Sequence, residues 1–161
     1  MLKTTLCYLE KDGEYLMMHR IKKSGDLNHD KWIGVGGKFL DNETPFQCAE
    51  REIKEETGLT VTKLNYRGII HFISNEFGEE EMHLFTSTEF YGKLNADCDE
   101  GNLVWINKQA VLSLPIWEGD KIFFKLLNEN APFFRLKLRY HGDRLIDQQL
   151  NFIKGANNEN D

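Results

Sequence analysis

Glu52, Glu55 and Glu56 are the residues whose types and spacing bear most directly on chemistry. Separated by three and four positions, they share one face of a helix. Three like charges on one face repel, and a helix built for stability alone would intersperse Lys among them. The grouping makes physical sense around a cation. Carboxylate oxygens are hard ligands that suit Mg²⁺ or Mn²⁺, ions that keep waters and take phosphate oxygens as further ligands. By themselves the three carboxylates also read as a solvated acidic helix face, which is a common arrangement.

The helix that must carry them is well marked. Thr44 suits the N-cap, Pro45 the first helical position, and Gln47 completes a capping box. Gly58 fits the residue just past the C-terminus, so a helix is expected from Pro45 to Thr57. Phe46, Ala49 and Ile53 form an apolar stripe beside the acidic face that can dock on a sheet. Upstream, Gly34, Gly36 and Gly37 in four residues imply a backbone that turns sharply or approaches a ligand closely.

Around this segment the sequence reads as alternating strands and helices. Residues 3–9 and Tyr15 to His19 read as strands joined by an Asp12-Gly13 hairpin. Further strands are expected at Arg67 to Ser74, Met82 to Glu89, Leu103 to Ile106 and Phe133 to Tyr140, the last closed by His141-Gly142-Asp143. Residues 78–81 read as a turn, Val111 to Leu114 as a short helix and Ile116 to Leu127 as a second major helix. Residues 1–154 are expected to form a single domain. The polar, Asn-rich stretch 155–161 is expected to be disordered.

Composition narrows the partners. A length of 161 residues with 40% hydrophobic content supports one packed core. The net charge of −6 disfavours a nucleic-acid polymer, whose backbone requires clustered Lys and Arg, but not a small phosphate ligand bridged by a cation. Cys7, Cys48 and Cys98 give no CxxC, and the histidines no HxxxH, so neither a disulfide framework nor a zinc site is expected. No stretch reads as a membrane span or signal peptide, and a cytoplasmic location is expected.

The spacing of the acidic helix goes further than its charge. The segment reads Gly37-x5-Glu43-x7-Arg51-Glu52-Ile53-x-Glu55-Glu56-x-Gly58-Leu59. It satisfies every fixed position of the Nudix signature, and a chance match in the chain falls below about one in a million at ordinary residue usage. The chain therefore resembles the Nudix hydrolases. The resemblance implies an α/β fold: a Nudix-type α/β/α sandwich with a central mixed sheet and a loop–helix–loop box. It implies Mg²⁺, or Mn²⁺, held by Glu52, Glu55, Glu56 and the Gly37 carbonyl with help from Glu100. It also implies hydrolysis of a nucleoside diphosphate linkage by water attack at phosphorus. Glu55, Glu56 and Glu100 are the candidates for the general base. Glu43 has a structural role in the family. Arg51 stands one turn before Glu55, where it can orient that carboxylate or form a purely structural ion pair.

Outside the box, Trp32-Ile33-Gly34-Val35-Gly36-Gly37-Lys38, Phe72, Glu100, Trp105 and Trp117-Glu118-Gly119-Asp120 resemble the MutT-like 8-oxo-purine nucleoside triphosphatases. The resemblance implies that Trp117 stacks on a purine, Asp120 hydrogen-bonds its edge and Phe72 lines the same pocket. Two positions depart from it: Ile33 replaces a base-contacting Asn, and Gly119 replaces one of two paired acids. Arg20, Lys23 and Lys38 are candidates for the triphosphate tail. Phe72 and Trp117 also read as core aromatics, Asp120 as a helix N-terminal acid, and Arg20 to Lys23 as a solvated basic loop. ADP-ribose, a dinucleotide or an RNA 5′ end are alternative substrates. A non-catalytic binding module is a further alternative, although such modules usually lose box carboxylates.

Overall fold

The structure, a computed structural model, describes residues 1–21 and 28–154. Helix α1 spans Pro45–Thr57 and is closed at both ends as its sequence requires. Thr44 Oγ1 accepts from Gln47 N–H at 3.1 Å while Gln47 Oε1 accepts from Thr44 N–H at 3.0 Å. Gly58, at φ 81°, then turns the chain out of the helix.

The strands are β1 (Leu2–Lys11), β2 (Glu14–His19), β3 (Trp32–Ile33), β4 (Thr60–Ser74), β5 (Gly78–Tyr91), β6 (Asn102–Asn107), β7 (Phe134–His141) and β8 (Arg144–Phe152). Five of them form a mixed sheet in the order β1-β5-β4-β7-β8, in which β1 runs parallel to β5 and β4 parallel to β7. Strand β2 continues from β1 and pairs antiparallel with both β3 and β6. A 3₁₀ turn at Val111–Ser113 precedes helix α2, Asp120–Asn128.

Alternation along β1 and β2 divides the core. Cys7, Leu9, Leu16 and Met18 pack with Ala49 and Ile53 of α1. Tyr8, Tyr15 and Met17 pack with Phe123, Phe124 and Leu127 of α2 on the opposite face. The result is the expected helix–sheet–helix sandwich around a mixed sheet. Each fully buried Phe or Leu contributes roughly 1.5–3 kcal/mol. Among the described residues no helix is long and apolar enough to cross a membrane.

Three local expectations are corrected. Residues 78–81 are strand, and the turn lies at 75–77, where Ser74 Oγ accepts from the backbone of Glu76 and Phe77 at 3.1 Å. The acidic run is tolerated in β5 because Glu79 meets His71 and Glu81 meets His83, each at 3.0 Å, while Glu80 accepts from Thr4 Oγ1 at 2.6 Å. Helix α2 begins at Asp120 rather than Ile116, since Gly119 N–H is drawn to Tyr140 Oη at 2.7 Å. Strand β8 was not expected at all. The tail 155–161 lies outside the described residues.

Candidate active site

The glycine segment is held by backbone pairing to β1. Cys7 N–H donates to Val35 O at 2.6 Å, Thr5 N–H to Gly37 O at 2.9 Å, and Phe39 N–H to Lys3 O at 3.2 Å. So close an approach leaves no space for side chains. A Cβ on Gly36, where φ is 148°, would stand 2.0 Å from Thr5 O. One on Gly37 would stand 2.5 Å from Glu52 Cδ. The Gly37 carbonyl already accepts from Thr5 N–H, with Thr5 Oγ1 and Cys48 Sγ at 3.5 Å. A carbonyl oxygen has a second lone pair, so this engagement is compatible with the expected ligand role, and the missing Cβ of Gly37 gives room to the Glu52 carboxylate.

Arg51 organises the acidic face from behind. Its Nε and Nη2 grip both oxygens of Glu43 at 2.6 and 3.0 Å, and Nη1 reaches Glu52 at 2.8 Å and Glu55 at 3.1 Å. Nη2 also donates to Lys38 O at 3.0 Å. All five guanidinium N–H donors are thus engaged. Glu43, one of the partners, is held down at about 2 by the Arg51 hydrogen bond. Arg51 is not among the residues that line the cavity described below, and its side chain meets that lining through Glu52, Glu55 and the Lys38 carbonyl.

Glu56 is the most perturbed of the three. Its Oε1 accepts from Gly36 N–H at 2.9 Å. Burial nevertheless pushes the carboxyl up to about 8, the Gly36 hydrogen bond opposing and the charges of Glu100 and Glu52 reinforcing. Glu100 is met by Arg20 Nη1 at 3.3 Å, which joins two expected site residues to each other.

These groups open onto one cavity of about 730 Å³, within the range of small-molecule sites. Glu52, Glu56 and Glu100, whose charges act on one another, mark its acidic end, with Arg20 on Glu100 and with Glu55 and Lys38 sharing the Arg51 guanidinium. Phe72 and Trp117, in contact with each other, and Asp120, whose charge acts on Tyr8, mark its aromatic end, and Ile33 and Met82 also line the cavity. The expected site residues are therefore brought together, except Arg51 behind the wall and Lys23, which lies outside the described residues. Phe72 and Trp117 meet edge to face at 5.4 Å and are both core members and cavity lining. Trp117 Nε1 donates to Asn28 Oδ1 at 2.8 Å, and Lys31 Nζ sits 4.8 Å from the ring centroid, covering one indole face. Asp120 is 7% exposed, and burial pushes its carboxyl up to about 8 despite the Lys31 charge and the Trp117 backbone amide. Trp105, in contrast, stacks on Phe90 at 6.0 Å away from this cavity. Sequence reasoning missed Tyr8, Asn28 and Met82. For Tyr8, the period-two alternation of β1 was the available signal.

The donor set at the acidic end suits a hard divalent cation. The oxygens are carboxylate, Gly37 leaves Glu52 its space, and the buried Glu56 faces like charges from Glu52 and Glu100 with no basic side chain prominent among its neighbours. Among the described residues no three acidic side chains already converge as a closed cage. A cation that takes water and phosphate oxygens as ligands does not require one.

Comparison with known proteins agrees with this geometry. A family model for the NUDIX domain matches residues 3–127. The chain is 32% identical over 155 residues to an oxidized purine nucleoside triphosphate hydrolase of Danio rerio, covering 93% of this chain and 94% of that protein. It is 27% identical over 122 residues to the CTP pyrophosphohydrolase of Escherichia coli (strain K12), covering 74% and 86% of the two chains. The solved MutT protein of Bacillus halodurans superimposes with a TM-score of 0.83 at 28% identity, covering 94% of this chain and 98% of its own. The chain belongs to the Nudix hydrolase family and is a pyrophosphohydrolase.

Proposed function

We propose that the chain is a Mg²⁺-dependent nucleoside triphosphate pyrophosphohydrolase of the cytoplasmic nucleotide pool. Its favoured substrates are oxidised purines such as 8-oxo-dGTP, released as monophosphate and pyrophosphate. The observation that carries this reading is that one cavity is lined both by mutually interacting carboxylates and by contacting aromatic rings with a buried acid. A nucleotide has the matching chemistry. The name of the zebrafish relative supports the oxidised-purine assignment.

Bound at Glu52, Glu55, Glu56 and Glu100, the cation would neutralise phosphate oxygens and acidify a coordinated water. The chain's own residues do the rest. Arg51 fixes the directions of Glu52 and Glu55, and Gly36 N–H fixes that of Glu56. Glu56, held at Oε1 by Gly36 N–H beside Glu52 and Glu100, would be ionised with a cation bound there and placed to accept the proton of the attacking water. The exposed Lys38 stands at the acidic end of the cavity, where a triphosphate tail would lie.

A CTP-directed activity is the second reading. It is favoured by Ile33, which offers the base no hydrogen bond, and by the E. coli relative's name. Purified protein with Mg²⁺ or Mn²⁺, offered 8-oxo-dGTP, dGTP, dATP, CTP, dCTP, ADP-ribose and a diadenosine polyphosphate, separates these readings by product chromatography. Highest kcat/KM on 8-oxo-dGTP is expected. A preference for CTP would select the second reading, and preference for ADP-ribose would overturn both.

A further inference from the structure

Tyr8 is the best-packed aromatic residue at the inner end of the cavity. It is 0% exposed, and its ring is fixed by Phe124 at 4.9 Å and by Tyr15 and Phe123 at 5.8 Å. Its hydroxyl proton, however, has no acceptor among the described residues, the Gly34 amide beside it being able only to donate toward the phenol oxygen. Other inward-facing tyrosines behave differently. Tyr15 Oη donates to Asn128 Oδ1 at 2.8 Å, Tyr66 Oη pairs with His83 Nδ1, and Tyr140 Oη accepts from Gly119 N–H at 2.7 Å. A buried hydroxyl proton without an acceptor destabilises the fold, and Phe would fill the same volume without that penalty.

The position of the phenol explains why a hydroxyl is useful there. Its end abuts Gly34, where a Cβ would come within 2.9 Å of Tyr8 Cε1 and 3.0 Å of Cζ. The Gly34 amide can only donate, so it offers the hydroxyl proton no acceptor. Tyr8, Gly34, Ile33, Phe72 and Asp120 line the same chamber. Ile33 and Phe72 carry no polar side-chain atom, and Trp117 Nε1 is engaged by Asn28. Burial keeps the phenol protonated, with the Asp120 charge acting in the same direction.

We propose that Tyr8 is a specificity-determining residue, its hydroxyl donating to a carbonyl oxygen on the edge of an oxopurine base seated beside Asp120. The proposal rests on the orientation given above, with the base at the aromatic end. It assigns Tyr8 a role in choosing the base and none in the chemical step.

The test uses the full chain and its Tyr8→Phe variant, which keeps the ring and its packing. Steady-state kinetics with Mg²⁺ on 8-oxo-dGTP, dGTP, dATP and dCTP would be run beside thermal melts and calorimetric binding of 8-oxo-dGMP. The variant should melt at the same temperature or higher. Its KM for 8-oxo-dGTP and its Kd for 8-oxo-dGMP should rise roughly three- to tenfold, the value of one neutral hydrogen bond, with kcat held within about twofold. KM for dCTP should not move. An unchanged KM for both oxopurines would overturn the proposal. So would an equal rise on all four nucleotides, which marks a packing defect. Failure of the nucleotide reading itself is visible separately, as wild-type protein that turns over none of the four.

Discussion

Asp120→Asn probes the electrostatics of the inner chamber, and its effect on stability must grow with pH. An aspartate in an unfolded chain ionises near pH ~3.9. In the folded protein burial pushes Asp120 up to about 8. Between those values the folded state keeps a proton that the unfolded chain has released. The unfolded state binds fewer protons there, so stability falls as pH rises. Below about pH 4 both states are protonated and no penalty exists, while above about pH 8 both are ionised and the penalty is constant. Each unit corresponds to about 1.4 kcal/mol, so the full window of about four units amounts to at most roughly 6 kcal/mol. That is a large share of the ~5–15 kcal/mol that holds a typical domain together. Asparagine cannot ionise. The stability advantage of the variant should therefore widen by up to about 1.4 kcal/mol per pH unit between about pH 5 and pH 8, then level off. Urea midpoints of both proteins, measured without metal across that range, give the gap directly. Glu56 is present in both and cancels to first order. A gap that stays flat would mean that Asp120 titrates as an exposed acid, and the account of the chamber as a desolvated site would fail.

Glu56→Gln should retain the fold and lose on the order of 10²–10⁴ in kcat, because the group suited to hold the water's proton is gone. Full activity in the variant would show that Glu56 is misassigned. The two glycines of the loop should separate in their effects. Gly36→Ala drives a Cβ into Thr5 O at a positive φ and should lower stability by more than about 2 kcal/mol, read as a fall in Tm. Gly37→Ala meets the far end of the Glu52 side chain, which can swing away. It should leave Tm within a few degrees while kcat/KM falls roughly a hundredfold. Comparable loss of stability in both would show that Gly37 is a packing position only.

Helix α1 was legible because its signals are local. A capping box, a proline at the first position and a terminal glycine each act within a few residues. The carboxylate face was legible for the same reason. Its supports were not, since Glu43 and Lys38 O meet Arg51 across 8 and 13 residues of chain, outside the spacing of helical neighbours, and the β1 backbone meets the loop only after the chain folds back. Strand β8 was hidden by exposure. Ile146 and Phe152 face outward along with its polar residues, so no apolar alternation marks it. The Glu79–Glu81 run looked like a turn because Glu79 finds His71 only across the paired strands, and Glu81 finds His83 two residues on only when both sit in a strand. Tyr8 was not singled out, because in the sequence it is one aromatic residue within the strand at 3–9 and its ring packs in the core. Only the surroundings of one oxygen atom distinguish it.

Strand β1 has a consequence for how such an enzyme changes over generations. Its hold on the glycine loop runs through peptide groups at Lys3, Thr5 and Cys7, whose hydrogen bonds are indifferent to side-chain identity. Its side chain at position 8 meanwhile faces the base chamber, about 10 Å further along the strand from Thr5. If Tyr8 selects the base as proposed, mutation at that face would retune which nucleotide is accepted while the loop stays anchored by the same backbone. On that proposal, diversification of the substrate and conservation of the reaction would fall to the two aspects of a single strand.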